Sequence, residues 1–255
     1  MNPWEMLAVL GAGVGAGAIN TVVGSGTLIT FPVLLAVGLP PVTATVSNAL
    51  GLIPGSISGA IGYRRELRGR RGRVVKLGAG AALGGLAGAT LLLVLPAAAF
   101  ETIVPVLVGL ALVLVVLQPR ISERVRRRRE RTGSVAPPDG GPLLFTGLML
   151  ASVYGGYFAA AQGIVYLALM GMLLDDGMQR LNAVKNVLVA VVNTVAAGFF
   201  LAVADFDWTA VSLLAAGSAV GGQIGARAGR RVSPAVLRAL VVAVGTVAIV
   251  QLLLR

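Results

Sequence analysis

The chain has 255 residues, of which 56% are hydrophobic and 12% are charged, and its mean hydropathy is +0.89. Soluble domains carry roughly twice this charged fraction, so an ordinary water-soluble fold is excluded. The net charge is +11, with no cysteine and no histidine. This composition excludes thiolate chemistry, disulfides, Cys or His metal sites and histidine proton relays, so we expect no cofactor and no metal.

Apolar segments follow one another from end to end and lack the alternation of barrel strands, which predicts an all-α, polytopic membrane protein. The N-terminal stretch MNPWEML has no basic region and no cleavage site, so we interpret it as the start of the first helix and not as a signal peptide. The predicted segments are 4–23, 26–38, 41–62, 74–94, 98–117, 142–161, 163–174, 179–203, 208–226 and 233–253.

Two of these segments are too short to cross a bilayer. Segments 26–38 and 163–174 reach roughly 20 Å as helices, against about 30 Å of hydrocarbon. We therefore predict that both are broken or re-entrant half-helices.

Arginine-rich stretches lie between apolar segments, at 64–76 and 120–131. The positive-inside rule explains this placement, so we expect cytoplasmic loops and no nucleic-acid partner. The second stretch belongs to 118–141, which we predict to be a basic cytoplasmic linker.

The two halves of the chain resemble each other, which predicts a first transmembrane repeat over 1–117 and a second over 142–255. VTATVSNAL (42–50) lies over RLNAVKNVL (180–188), and Gly84-Gly85 matches Gly221-Gly222. About five segments per half is an odd number, so the two repeats insert in opposite senses. Arginine-rich loops inside then place both termini outside a cytoplasmic membrane.

The break before each short segment is the candidate substrate site. Half-helix N-termini near the midplane of inverted-repeat transporters point at anionic groups of the substrate. The alternative is that the glycines only permit tight helix packing. The residues of the two breaks are Gly24, Ser25, Gly26 and Thr27, and then Gln162 and Gly163.

Lys185 is the strongest single candidate for a functional residue, because a lysine at membrane depth is energetically costly and usually functional. It could attract an anion or carry a coupled proton, or its side chain could snorkel to the cytoplasmic interface. Asn48 and Asn186 occupy matching positions in the two halves. Amides donate hydrogen bonds to an anion without carrying charge, but they also serve as interhelical contacts.

Residues 15–65, GAGAINTVVGSGTLITFPVLLAVGLPPVTATVSNALGLIPGSISGAIGYRR, resemble the N-terminal signature of the TauE/SafE sulfite-exporter family. The resemblance implies transport of small sulfur-containing anions, such as sulfite or sulfoacetate, across a lipid bilayer. This chain departs from the commoner longer glycine run by having Ser25 within it. The positions that match the family motif are Asn20, Thr21, Gly24, Ser25, Gly26, Ser47 and Asn48.

Three functions follow as hypotheses. The first is a secondary transporter, with export as the expected direction and with coupling to a proton or another ion left open. The second is a passive anion channel. The third is a membrane-embedded enzyme, for which the sequence supplies neither a nucleophile with a base nor an intramembrane carboxylate pair. Its one adjacent acidic pair, Asp175-Asp176, is interpreted as a solvated cap, so we expect no catalytic residue.

Overall fold

A computed structural model describes residues 1–132 and 140–228, together with Val236, Ala239, Val242, Ala243 and Thr246. Ten helices and no strand occur in the described residues, which confirms the predicted all-α membrane fold. The predicted segment 233–253 and residues 133–139 of the predicted linker lie outside the continuously described ranges. The helices are α1 (Pro3–Val22), α2 (Thr27–Ala36), α3 (Pro41–Gly51), α4 (Ile53–Gly62), α5 (Arg71–Val94), α6 (Ala97–Thr132), α7 (Gly141–Tyr157), α8 (Gln162–Leu173), α9 (Met178–Val203) and α10 (Trp208–Ala228).

The first helix begins as its sequence dictates. The side chain of Asn2 accepts a hydrogen bond from the backbone N–H of Glu5, and the Glu5 carboxylate accepts one from the N–H of Asn2. Pro3 stands at the first helical position, where a missing N–H costs nothing. This capping box fixes the start of α1.

In the described part of the chain, four helices are long and apolar enough to cross a membrane: α1, α5, α9 and residues Trp208–Arg227 of α10. The two short segments are helices of 10 and 12 residues, α2 and α8. The prediction that both are too short to span is confirmed.

Two predicted segments differ from the structure. Segment 41–62 is not continuous, because the chain breaks at Leu52 between α3 and α4. Pro54 has no N–H to donate to the preceding turn, which explains the break. Segment 98–117 ends too early, since α6 continues to Thr132 and takes in most of the predicted linker. Arginine and glutamate are good helix formers, and Arg127 pairs with Glu123 at 2.8 Å one turn earlier.

Small residues bring the long helices together. Gly84 and Gly88 of α5 lie against the backbone of α7 at Met149 and Val153. In the same way, Gly217 and Gly221 of α10 lie against the backbone of α1. A methyl group at any of these glycines would collide with the facing backbone, so the close approach of the helices requires glycine.

An ion-pair cluster ties the loop after α8 to the start of α5. Asp176 accepts hydrogen bonds from Arg70, at 2.7 Å, and from Arg73, and Arg180 lies 3.7 Å away. The Asp176 side chain is 4% exposed, so its interpretation as a solvated cap is wrong. It instead neutralises arginines that lie about a hundred positions earlier in the chain.

Candidate functional site

The two predicted breaks meet in the interior of the protein. The N–H of Gly163 donates to the carbonyl oxygen of Gly24 at 3.1 Å. A Cβ atom built on Gly24 would lie 2.5 Å from the Cα of Gly163, and Gly24 has φ +87°. Glycine is needed at position 24 both for this backbone angle and for this contact. The start of α2 and the start of α8 therefore lie side by side.

The chain enters α8 through an unusual backbone. Ala159 and Ala161 have φ values of +62° and +57°, a region that costs an L-residue about 1–2 kcal/mol. Gln162 begins α8, and its Nε2 donates to the hydroxyl of Tyr166 at 2.6 Å. That hydroxyl lies 2.5 Å from Oγ of Ser152 on α7. Strain of this kind persists only where the surroundings enforce it, and it clusters at functional sites.

Asn48 of α3 fixes the first turn of α2. Its Nδ2 donates to Oγ1 of Thr27 at 3.2 Å, and its Oδ1 accepts from Oγ1 of Thr30 at 2.5 Å. All three side chains are buried. The amide thus uses both its oxygen and its nitrogen to hold α2 in place, with the N-terminus of α2 directed at the second break.

Lys185 lies between the start of α8 and the end of α1. Its side chain passes Gly163, and its Nζ donates to the carbonyl oxygens of Asn20 at 2.7 Å and Thr21 at 3.0 Å. The residue is 0% exposed, so the alternative that it snorkels to the interface is wrong. Asn186 supports the same contact, because its Nδ2 donates to the Thr21 carbonyl at 3.3 Å.

The C-terminus of α1 is the group that Lys185 contacts. The last carbonyls of a helix have no partner inside it and carry partial negative charge. The Lys185 ammonium satisfies two of them, and both of its hydrogen-bond acceptors are neutral. The Lys185 amino group is therefore buried among backbone dipoles, with no carboxylate bonded to it in the part of the chain that the structure describes.

Each break also contains a buried polar atom without a partner. Oγ of Ser25 and Oε1 of Gln162 have no hydrogen-bond partner within the described residues. Their side chains are 0% and 1% exposed. Buried polar groups are nearly always satisfied, and each exception calls for an explanation.

Some predicted residues contribute to the cluster only through their backbone. Thr21 uses its hydroxyl within α1, where it donates to the Gly17 carbonyl at 2.8 Å. Asn20 turns its side chain to Ser56 of α4 at 3.3 Å. Ser47 is not brought to the breaks, because its Oγ accepts from the N–H of Asp207, just before α10, at 3.1 Å.

The sequence interpretation missed Thr30, Tyr166 and Ser152, which the structure places beside the predicted residues. Helical spacing could have found two of them, since Thr30 follows Thr27 by three positions and Tyr166 follows Gln162 by four. Nothing in the sequence pairs Ser152 with Tyr166, since they lie on different helices.

Comparison with known proteins gives one family and a consistent set of relatives. The family model described as Sulfite exporter TauE/SafE matches residues 9–252. The chain is 27% identical to "Probable membrane transporter protein YfcA" of Escherichia coli strain K12 over 239 residues, covering 93% of this chain and 86% of that protein. It is 25% identical to "Probable membrane transporter protein ORF9" of Sinorhizobium sp, covering 93% of this chain and 88% of that protein.

A third relative is a "Probable membrane transporter protein" of Haemophilus influenzae. It is 25% identical over 227 residues, covering 88% of this chain and 85% of that protein. No solved structure is a significant match to the chain.

Proposed function

This chain belongs to the Sulfite exporter TauE/SafE family, and we propose that it is a secondary transporter that exports small sulfur-containing anions such as sulfite or sulfoacetate. The family and the relatives make it a multi-pass membrane transporter of a small molecule. The observation that carries the finer proposal is the contact between the starts of α2 and α8, with Lys185 buried beside it.

Electrostatics favour an anion at this place. The N-termini of α2 and α8 each present the positive end of a helix dipole. Lys185 adds a buried ammonium whose bonded partners are neutral carbonyls. A buried charge without a counter-ion is expensive, and an arriving anion would offset part of that cost. The hydroxyl of Ser25 supplies a donor that has no competing partner among the described residues.

The polar residues of the predicted site are buried in this conformation. Asn20, the most exposed of its polar residues, is only 9% exposed. A substrate therefore needs a conformational change to enter and another to leave, which is the behaviour of an alternating-access carrier. A passive channel is the alternative, and it would require a continuous open path through the same residues.

Matched helix contacts support an inverted duplication as the basis of this motion. The helix α1 packs on α10, and its counterpart α7 packs on α5. Likewise α4 packs on α10, and its counterpart α9 packs on α5. We propose inverted repeats over 1–117 and 142–255, which rock against each other around a fixed midplane site. We also propose an inner-membrane location, with the basic loops in the cytoplasm and both termini outside, as the positive-inside rule predicts.

Sulfite flux into proteoliposomes tests this function. We expect saturable flux of labelled sulfite or sulfoacetate, and a decrease of at least about tenfold for Lys185→Met, because the variant lacks the buried charge. Lys76→Met is the matched control, since Lys76 is exposed on α5 and its removal should leave flux unchanged. Thermal unfolding of each purified variant separates a lost site from a lost fold.

Four results would overturn parts of the proposal. Absence of flux for both sulfite and sulfoacetate would contradict the substrate class. Flux that does not saturate and ignores ion gradients would favour the channel. Wild-type flux in Lys185→Met would contradict the assigned site. Turnover of a lipid substrate by the purified protein would favour the enzyme hypothesis.

A further inference from the structure

Two cavities at one end of the molecule share a wall. A basic cavity of about 450 Å³ lies between the end of α4 and the end of α10, where Arg64, Arg65 and Arg227 meet. An apolar groove of about 550 Å³ runs between α4 and α9. Ile61 and Arg64 line both, so the groove leads directly into the basic cavity.

The basic cavity holds an excess of positive charge. Among the residues that the structure describes, no acidic side chain lines it, and none of its three arginines forms an ion pair. The nearby Arg70 and Arg73 differ, because Asp176 neutralises both of them. Three guanidinium groups around one cavity suit a phosphate, which accepts bidentate hydrogen bonds from arginine.

The apolar groove faces outward along the membrane-spanning part of α9. Ile57 and Ile61 on its α4 wall are 46% and 49% exposed. Ala190, Val191 and Val195 form part of the α9 wall. Because α9 is long and apolar enough to span the bilayer, this groove lies at the depth of lipid acyl chains.

We propose that the basic cavity and the apolar groove together bind one anionic phospholipid. Its phosphate lies among Arg64, Arg65 and Arg227, and one acyl chain lies along the groove between α4 and α9. Basic pockets between transmembrane helices on the side of the basic loops hold anionic headgroups by the same physics. This lipid site involves none of the residues proposed for the transported anion.

Native mass spectrometry of the full-length protein tests the proposal, with phosphatidylglycerol and phosphatidylcholine of identical acyl chains as probes. We expect one phosphatidylglycerol to be retained in preference to phosphatidylcholine. The triple variant Arg64→Gln, Arg65→Gln, Arg227→Gln should weaken phosphatidylglycerol binding by roughly 10- to 100-fold. The variant Ala190→Phe should also weaken it, because the ring fills the groove.

A matched triple variant controls for net charge. Arg120, Arg124 and Arg131 are exposed on α6, and their replacement by glutamine removes the same charge at a different place. Equal weakening by both triple variants would overturn the proposal, as would equal retention of the two lipids. Displacement of phosphatidylglycerol by millimolar inorganic phosphate, with Ala190→Phe having no effect, would show a free-anion site and contradict a lipid site.

Discussion

Ser25 is the residue whose chemistry is least explained by packing. Its hydroxyl is fully buried and has no partner among the described residues. An unsatisfied buried polar group costs about 1–3 kcal/mol, whereas alanine at the same position would cost nothing of this kind. This free-energy cost would be explained if the hydroxyl donates a hydrogen bond to the transported anion.

Ser25→Ala should therefore leave stability unchanged or raise it, while flux falls by about tenfold, the loss expected for one good hydrogen bond to a charged ligand. Thermal unfolding and sulfite flux measured on the same preparations check this prediction. Ser218→Ala is the comparison, because Ser218 is buried and its Oγ bonds the Gly51 carbonyl at 2.8 Å and the Gly55 N–H at 3.1 Å. The Ser218→Ala variant should lose about 1–3 kcal/mol of stability, because both backbone groups lose their partner. Full flux in Ser25→Ala would count against a role in binding.

The sequence identified residue types at this site better than their directions. Asn48 and Lys185 stood out because polar groups are costly in a membrane, and both are buried at the breaks. Ser47 and Asn48 are neighbours on one helix, so their side chains point about 100° apart. Which of them faces α2 depends on how α3 packs, and no local pattern in the sequence contains that information.

The contact between the starts of α2 and α8 is the central element-level feature. Gly24→Ala should be strongly destabilising, for two separable reasons. A left-handed backbone costs alanine about 1–2 kcal/mol. The new methyl group would also lie 2.5 Å from the Cα of Gly163, and overpacking of this kind costs about 1–3 kcal/mol more.

Gly38→Ala separates the two causes. Gly38 has φ +90°, close to the value at Gly24, but a Cβ there meets no atom within 4 Å. Unfolding of both variants by detergent titration should show a larger loss for Gly24→Ala, together with a specific loss of flux. Equal losses in the two variants would mean that the backbone angle matters and that the contact with α8 does not.

The positions of most helices could be predicted from the lengths of the apolar segments. The features that were missed have either a local or a long-range cause. The half-helices α2 and α8 were predictable because their apolar runs are short. The break at Leu52 was missed because Pro54 lies within a continuous apolar run. The buried state of Asp176 was missed because its partners, Arg70 and Arg73, lie in the other half of the chain.

At the scale of the whole molecule, α1 packs on α10 and α7 packs on α5, and the two breaks meet in the buried interior. This arrangement places the starts of the two half-helices side by side. We propose that the transported anion binds where they meet, and that rocking of one repeat against the other exposes it alternately to the two sides.

Anomalous diffraction from crystals of the full-length protein soaked with selenite, a heavier analogue of sulfite, tests this claim most directly. The predicted result is a selenium peak within hydrogen-bonding reach of Ser25 and the first turn of α2, close to Lys185. The peak should be weaker in crystals of Ser25→Ala soaked at the same sub-saturating concentration. Selenium found only among Arg64, Arg65 and Arg227, or absent from the two breaks at saturating selenite, would contradict the account.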